Sequence, residues 1–248
     1  MLLGNLLGSA RKKYRKISVE GICFDSRKIK KKDIFFAIKG NQTSGTKFID
    51  KAISKGASAI VSTKKTKYKN DHIPLVLVKD IRKSLSEACS KFYKKKPTNI
   101  IAVTGTNGKS SVAYFFFQIL GLNKILAASI GTLGIISKKY NKKINLTSID
   151  PLSLHKNLQI LERNNVNHVI LEASSHGLEQ KRLDNLNINT GIFTNLSHDH
   201  LDYHKNMKSY FNAKMYLFKN LLKKNLKLLQ TKKIRNLKLL KVLQTEGE

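Results

Sequence analysis

The segment VTGTNGKSSVAYFFFQIL, residues 103–120, places two glycines, a lysine and two serines between a β-branched run and a long apolar stretch. Such a turn directs backbone N–H groups at an anion, and the dipole of the following helix adds to the attraction. Lys109 is placed to reach terminal phosphates, and Ser110 to offer a hydroxyl to Mg²⁺. The segment therefore predicts a nucleotide phosphate loop. Its predicted residues are Gly105, Thr106, Asn107, Gly108, Lys109, Ser110 and Ser111.

This loop departs from the strict P-loop pattern G-x-x-x-x-G-K-[ST] in one place. Val103 stands where the first glycine belongs, and Gly105 lies closer to the lysine. The alternative interpretation is an ordinary strand–turn–helix connection with an incidental Lys-Ser pair. In a lysine-rich sequence, the tripeptide G-K-S alone is weak, but the fit of the whole segment between a strand and a helix favours the phosphate.

A second cluster of chemically capable residues lies in TNLSHDHLDYH. Its histidines and carboxylates are His198, Asp199, His200, Asp202 and His204. His-x-His at a strand end is a metal-ligand spacing, so a zinc-dependent hydrolase using His198 and His200 is one hypothesis. Tyr203 stands where the comparable zinc motif has its last histidine. That function would also leave the phosphate loop without a purpose.

The elements around these motifs predict an α/β fold. Short apolar strands alternate with amphipathic helices, and most polar residues of interest follow strand ends, where open α/β sheets bind ligands. We expect a small N-terminal α/β domain and then a truncated, P-loop-type, mostly parallel sheet with flanking helices. The predicted domains are residues 1–97, 98–220 and a low-complexity basic tail, 221–248. The tail shows no strand-like run followed by a turn, and is expected to be a basic amphipathic helix, a frameshift product or a frayed end.

The composition bounds the function class. The chain has 248 residues, with 47 basic and 16 acidic side chains. Lysine supplies most of the positive charge and arginine, the better group for bidentate phosphate and base contacts, is scarce, so no specific nucleic-acid partner is expected. No run reaches the roughly 18 apolar residues of a membrane span. Two distant cysteines suggest no disulfide, and a cytoplasmic location is expected.

Four motifs, two of them described above, carry a resemblance to a known family. TGTNGKSS, LEASSHGLEQKRL, FTNLSHDHLDYH and SYFNAKMYLF occur in this order, and the region FDSRKIKKKDIFFAIKG precedes them. Together they resemble the Mur ligase family of peptidoglycan synthesis, in particular the branch that adds the third amino acid of the stem peptide. The N-terminal region is similar to that branch's first domain, which holds the uridine nucleotide.

The resemblance implies an ATP-dependent amide ligase. ATP phosphorylates a carboxylate of UDP-N-acetylmuramoyl-L-alanyl-D-glutamate, and the amine of a diamino acid, diaminopimelate or lysine, displaces phosphate from the acyl-phosphate. Cations must neutralise and align the two anions, so ATP and Mg²⁺ are the implied cofactors. The implied catalytic residues are Lys109, Glu172, His200 and Lys214, and the implied metal ligands are Ser110, Glu172, His200 and Lys214, the last if carbamylated.

The resemblance also implies residues for the UDP-muramoyl substrate. They are Phe24, Ser26, Asn41, Gln42, Thr43, Thr147, Ser148, Ser174, Gln180 and Arg182. Arg182 suits a carboxylate or phosphate by its planar fork. The sequence reads Leu146-Thr147-Ser148 where the family usually has Asn-Thr-Thr, and the Leu146 side chain cannot hydrogen-bond.

The resemblance covers little beyond residue 220. The family's third domain, which binds the incoming amino acid and part of the ATP, is not recognised in these 248 residues. A closed site that excludes water needs those parts, so this chain alone is expected to catalyse little or no ligation. A non-catalytic nucleotide-binding remnant is the remaining alternative. The sequence does not predict the oligomeric state.

Overall fold

The computed structural model of the protein describes residues 1–40, 43–63, 70, 72–144, 146–222 and 228–230. The chain divides into two compact units, Met1–Lys94 and Lys95–Glu248. The predicted domain boundary after residue 97 stays a prediction. Among the described residues, no helix combines the length and apolar character needed to cross a bilayer.

The N-terminal unit contains a parallel sheet of four described strands in the order β1-β2-β3-β4. The strands are β1 (Gly21–Cys23), β2 (Asp33–Phe36), β3 (Ala59–Ser62) and β4 (Leu75–Leu77). The helices are α1 (Leu3–Leu6), α2 (Ile49–Ser54) and α3 (Ile81–Phe92), with 3₁₀ turns at Lys12–Tyr14 and Gly45–Phe48. Strands β2 and β3 are buried throughout, as expected for a parallel sheet covered on both faces.

The second unit contains a sheet with the described strand order β10-β9-β5-β8-β6-β7. The strands are β5 (Asn99–Thr104), β6 (Ala127–Gly131), β7 (Gly134–Ser137), β8 (His168–Glu172), β9 (Thr190–Phe193) and β10 (Leu228–Gln230). All neighbouring pairs are parallel except β6 and β7. Strand β5 lies between β8 and β9, so the ends of these three strands meet at one edge.

Three described helices of the second unit begin at a residue whose side chain caps the first turn. The described helices of this unit are α4 (Lys109–Leu122), α5 (Pro151–Arg163), α6 (Ser175–Glu179), α7 (Leu201–His204) and α8 (Met207–Tyr216), followed by a π-helical turn at Leu217–Leu221. Asp150 accepts a hydrogen bond from Ser153 N with Pro151 at the first helical position, and Asn206 caps α8 through Ser209 N. Such caps satisfy backbone donors that a helix leaves unpaired.

Apolar side chains cover both faces of this sheet. One cluster joins Leu154, Leu158 and Leu161 of α5 to the strands. A smaller cluster on α4 joins Ala113 to Val103 and Ile170. The predicted α/β fold class, with parallel sheets and flanking helices, is confirmed.

Strand β10 corrects one sequence expectation. The composition of the tail predicts no strand there, yet Leu228–Gln230 pairs in parallel with Gly191–Phe193 of β9. An edge strand presents unpaired backbone N–H and C=O groups, and pairing with them overrides a weak local preference. Residues 231–248, which belong to the predicted helical or frameshifted tail, lie outside the described residues.

Candidate functional site

The predicted phosphate loop connects the end of β5 to the start of α4. Gly105 has φ +143° and Gly108 has φ +81°, values that side chains rarely adopt. Thr106 N donates to the Asn195 carbonyl and Asn107 N to Asn195 Oδ1, each at 2.9 Å. A Cβ built on Gly105 would overlap Thr194 Oγ1. The loop is therefore held tightly against the end of β9, and this contact requires a glycine.

The side chain of Lys109 folds back onto the backbone of the loop. Its Nζ donates to the carbonyls of Gly105 at 3.0 Å and Thr106 at 2.7 Å. Burial lowers the Lys109 pKa, while the carboxylates of Glu172 and Asp199 oppose that shift. The ammonium thus lies at the mouth of the loop on acceptors that an anion can replace.

Glu172 ends β8 beside this loop and is only 3% exposed. Its Oε2 accepts from Ser110 Oγ at 2.9 Å, and its Oε1 accepts from Thr132 N at 2.8 Å. A Cβ on Gly131 would overlap that carboxylate. The Ser110 hydroxyl and the Glu172 carboxylate form a pair of oxygen ligands of the kind that suits Mg²⁺.

Lys214 lies on α8 with 1% of its surface exposed. Its Nζ donates to the Gly105 carbonyl at 2.6 Å and lies 4.2 Å from the centroid of the Tyr210 ring. Burial, together with the charge of Lys109, lowers the Lys214 pKa to about 7. A large fraction of this amine is therefore neutral near pH 7, which an ordinary surface lysine is not.

His200 precedes α7 with a left-handed backbone, φ +52°. Its Nε2 lies 3.4 Å from Asp199 Oδ2, and its ring meets the His176 ring edge-on at 4.9 Å between centroids. His198 is exposed. Across the described ranges, no three His, Cys, Asp or Glu side chains lie close enough together to hold a metal ion. The geometry therefore offers no support for the zinc hypothesis built on His198 and His200.

Several substrate candidates of the second unit lie next to Glu172. Ser148 Oγ donates to the Glu172 carbonyl at 2.8 Å and accepts from Ser174 N at 2.9 Å. Arg182 donates from Nη1 to the Ser148 carbonyl and from Nη2 to Gln180 Oε1 at 2.7 Å. Thr147 Oγ1 lies 3.1 Å from Thr132 Oγ1. The structure thus brings all five residues into one network, whereas the Leu146 side chain is 51% exposed.

The candidates of the N-terminal unit lie in loops that follow strands. Phe24 directly follows β1 and is 36% exposed, while Ser26 is 6% exposed. The carbonyl of the exposed Thr43 accepts from Gly40 N at 2.9 Å. Asn41 and Gln42 lie outside the described residues. Roles for these residues remain predictions.

Three residues of the site were missed by sequence reasoning. Thr132 holds Glu172 through both its N–H and its hydroxyl. The Tyr210 hydroxyl lies 3.2 Å from Thr106 Oγ1, and the His176 ring packs between those of His200 and Tyr203. Available signals were the position of Thr132 just after β6 and the helical i, i+4 spacing of Tyr210 and Lys214.

Comparison with known proteins assigns the chain to a family. The model of the Mur ligase middle domain matches residues 103–245, and the model described as Mur ligase family, catalytic domain, matches residues 18–95. The chain belongs to the Mur ligase family.

Individual relatives share extensive sequence with this chain. It is 42% identical over 211 residues to UDP-N-acetylmuramoyl-L-alanyl-D-glutamate--2,6-diaminopimelate ligase of Bradyrhizobium diazoefficiens, covering 83% of this chain and 42% of that protein. It is 44% identical over 211 residues to the ligase of the same name from Rickettsia montanensis, covering 84% and 44%. The chain therefore spans less than half the length of these curated relatives.

A solved structure of a protein with that ligase name superposes with a TM-score of 0.84 at 27% identity, covering 100% of this chain and 50% of the other. MurF ligase of Thermotoga maritima, solved with ADP, gives a TM-score of 0.58 at 20% identity, covering 89% and 47%. The second likeness concerns the fold alone.

Proposed function

We propose that this chain forms the nucleotide- and substrate-binding part of an ATP-dependent amide ligase of peptidoglycan precursor synthesis. The substrate is UDP-N-acetylmuramoyl-L-alanyl-D-glutamate, and the names of the relatives favour diaminopimelate as the added amino acid. ATP and this nucleotide-linked substrate imply a reaction in the cytoplasm. The observation that carries the proposal is the convergence of Lys109, Glu172 and Lys214 on one glycine loop.

In this proposal the loop residues bind the nucleotide phosphates. The backbone N–H groups at the start of α4 and the Lys109 ammonium supply positive charge for the terminal phosphates. Phosphate oxygens replace the carbonyls of Gly105 and Thr106 as the acceptors for Lys109. Ser110 and Glu172 provide the protein oxygens for Mg²⁺, which supplies charge neutralisation for the phosphoryl group.

Lys214 and His200 serve a second Mg²⁺ in the proposed site. A lysine binds a cation only after it loses its own positive charge, and reaction of a neutral amine with CO₂ gives a carbamate anion. The buried Lys214, with its pKa lowered to about 7, satisfies the first requirement of that reaction.

The reaction then proceeds in two steps. A carboxylate oxygen of the substrate attacks the γ-phosphorus of ATP, and ADP leaves with the electrons of the broken P–O bond. The amine of the diamino acid attacks the acyl carbon, loses a proton and expels phosphate. The guanidinium of Arg182 and the hydroxyl of Ser148 are proposed to hold the substrate during both steps.

Nucleotide binding tests this proposal directly. We expect the chain to bind a non-hydrolysable ATP analogue with Mg²⁺ in a calorimetric titration. Lys109→Met should weaken that binding by roughly tenfold or more, because a charge-assisted contact contributes about 1.5 to 3 kcal/mol. Lys208→Met, an exposed position on α8, is the matched control and should bind like the wild type.

The Mg²⁺ pair provides a second arm of the same experiment. Glu172→Gln keeps the shape of the side chain but removes its charge, so the analogue should lose most of its Mg²⁺ dependence. Equal binding by the wild type, Lys109→Met and Glu172→Gln would contradict the proposed phosphate site.

A further inference from the structure

Helix α7 is too short to be stable without contacts to other elements. It spans only Leu201–His204, has no side-chain cap, and lies between two non-glycine residues of positive φ, His200 at +52° and Lys205 at +66°. A single helical turn is not stable alone, and each left-handed residue costs about 1 kcal/mol or more. Contacts with other elements must therefore fix α7, and with it the direction of the His200 ring.

Two residues of α7 reach helix α6: His204, whose Nδ1 lies 3.5 Å from Glu179 Oε2, and Tyr203. The Tyr203 ring packs on the His176 ring with 4.0 Å between centroids, and the His176 ring meets His200 edge-on at 4.9 Å. Its hydroxyl accepts a hydrogen bond from Gln180 Nε2 at 3.3 Å. The ring of Tyr203 thus faces His200 through His176, while its hydroxyl faces the segment that carries Arg182.

The hydroxyl contact holds the Gln180 amide beside Arg182. With Nε2 directed at Tyr203, Gln180 Oε1 accepts from Arg182 Nε at 3.2 Å and Nη2 at 2.7 Å. The opposite amide orientation would point N–H groups at a guanidinium, which has donors only. The guanidinium therefore sets the amide orientation, and the Tyr203 hydroxyl, by accepting from Nε2, restrains the Gln180 amide in the position that contacts Arg182.

We propose that Tyr203 is a positioning residue that serves both sides of the ligase site. Its ring holds His200 for the metal side, and its hydroxyl aligns Arg182 through Gln180 for the substrate side. This inference rests on the proposed function for the roles of His200 and Arg182. A mere packing residue would need the ring alone, so the hydroxyl separates the two interpretations.

Three variants separate the ring from the hydroxyl. Tyr203→Phe removes only the hydroxyl that accepts from Gln180 Nε2. Tyr203→Leu removes both the hydroxyl and the aromatic ring. Tyr140→Phe is the matched control, because the Tyr140 hydroxyl donates to Asn157 Oδ1 at 2.7 Å elsewhere in the same unit. Thermal unfolding midpoints establish that each variant is folded before any comparison is made.

Binding measurements form the first arm of the test. The probes are UDP-N-acetylmuramoyl-L-alanyl-D-glutamate by calorimetry, and Mn²⁺ by electron paramagnetic resonance with a non-hydrolysable ATP analogue. Tyr203→Phe should lower the affinity for the dipeptide substrate about 3- to 10-fold, which corresponds to the loss of one hydrogen bond. It should leave Mn²⁺ binding unchanged. Tyr203→Leu should weaken both, and Tyr140→Phe neither. Wild-type substrate affinity in folded Tyr203→Phe would overturn the role of the hydroxyl.

A ligand-free arm keeps this inference distinct from the proposed function. In NMR spectra without ligand, the wild type and Tyr203→Phe should show the same ring-induced shift of the His176 protons. Tyr203→Leu should abolish that shift and move the His200 signals. If the wild type fails to bind either probe, the proposed function fails, and the spectra still decide whether Tyr203 positions His200. Unchanged His200 signals in folded Tyr203→Leu would overturn the role of the ring.

Discussion

The two units of this chain both combine parallel strands with helices, but among the described residues only the second unit buries a lysine. In the N-terminal unit the ion pairs Arg27–Asp25 and Lys32–Glu20 lie at the surface, with 81% of the Arg27 side chain exposed. In the second unit Lys214 and Glu172 are buried around one glycine loop. Surface pairs contribute little to stability, whereas buried charges are expensive and concentrate at functional sites. Because lysines are so common in this sequence, the presence of a lysine says little about function. A buried lysine is a better indicator of a functional site.

The largest effect is expected at the glycine that closes the loop of the second unit. Gly105→Ala introduces a Cβ that overlaps Thr194 Oγ1 at a φ of +143°. We expect a loss of about 2 to 4 kcal/mol in the free energy of unfolding, seen as a lower thermal midpoint. Gly8→Ala in the N-terminal unit, where a Cβ meets nothing within 4 Å, is the control. Equal midpoints for the two variants would break the comparison between the units.

A buried histidine gives the second unit a predicted sensitivity to acid. His155 on α5 is fully buried, and burial with the nearby charge of Lys96 lowers its pKa to about 3, against a weaker opposing contact from the Asp184 backbone. Between pH 6.5 and 3 the unfolded chain binds a proton that the folded chain does not. The contribution of His155 to stability is therefore complete above pH 6.5 and falls by up to about 1.4 kcal/mol per pH unit below it.

His155→Gln should flatten that part of the stability profile. The measurement is the free energy of urea unfolding between pH 7 and pH 5. His72→Gln, at an exposed position of the N-terminal unit, should keep the wild-type slope. A His155→Gln profile as steep as that of the wild type would assign the acid sensitivity to other groups.

Lys214 should produce a similar slope on the alkaline side. Its folded pKa of about 7 lies below the ordinary value near 10.4, so the unfolded chain binds more protons between these limits. Wild-type stability should therefore gain up to about 1.4 kcal/mol on going from pH 7.5 to 8.5. Lys214→Met should lose this gain in stability, while Lys208→Met should keep it. In Lys214→Met the Gly105 carbonyl is not left without a donor, because it still accepts from Lys109. An unchanged slope would show that Lys214 is not a desolvated amine.

The smallest effect is expected in the N-terminal unit. Arg27→Ala removes the bidentate hydrogen bonds from Arg27 to Asp25. Arg27 also lowers the Asp25 pKa, so the two side chains do interact. Solvent screens the attraction between these exposed charges, and the pair therefore adds little to stability. We expect no measurable change in the thermal midpoint. A clear fall would mean that this pair is more than a surface contact.

Local sequence was sufficient where function depends on one continuous turn. The loop from Gly105 to Ser111 could be predicted, because it is specified by neighbouring residues. The burial of Lys214 could be expected only through the family resemblance, since its helix gives no such signal among so many lysines.

Contacts between distant segments could not be predicted in the same way. Nothing in the spacing of Tyr203 and Gln180 shows that a hydroxyl of α7 meets an amide at the end of α6. His155 follows an apolar helical pattern that does not distinguish a buried from a half-buried histidine. Strand β10 depends on the open edge of β9 rather than on its own residues. These features arise from tertiary packing, which a linear pattern records only indirectly.

The Gly105 carbonyl is one acceptor shared by the two lysines of the site. Both Lys109 and Lys214 donate to this one oxygen, at 3.0 Å and 2.6 Å. The peptide plane between Gly105 and Thr106 sets the direction of that oxygen, and the N–H of the same plane donates to the Asn195 carbonyl at 2.9 Å. This one hydrogen bond beyond the end of β9 therefore keeps the shared acceptor directed at both ammonium groups.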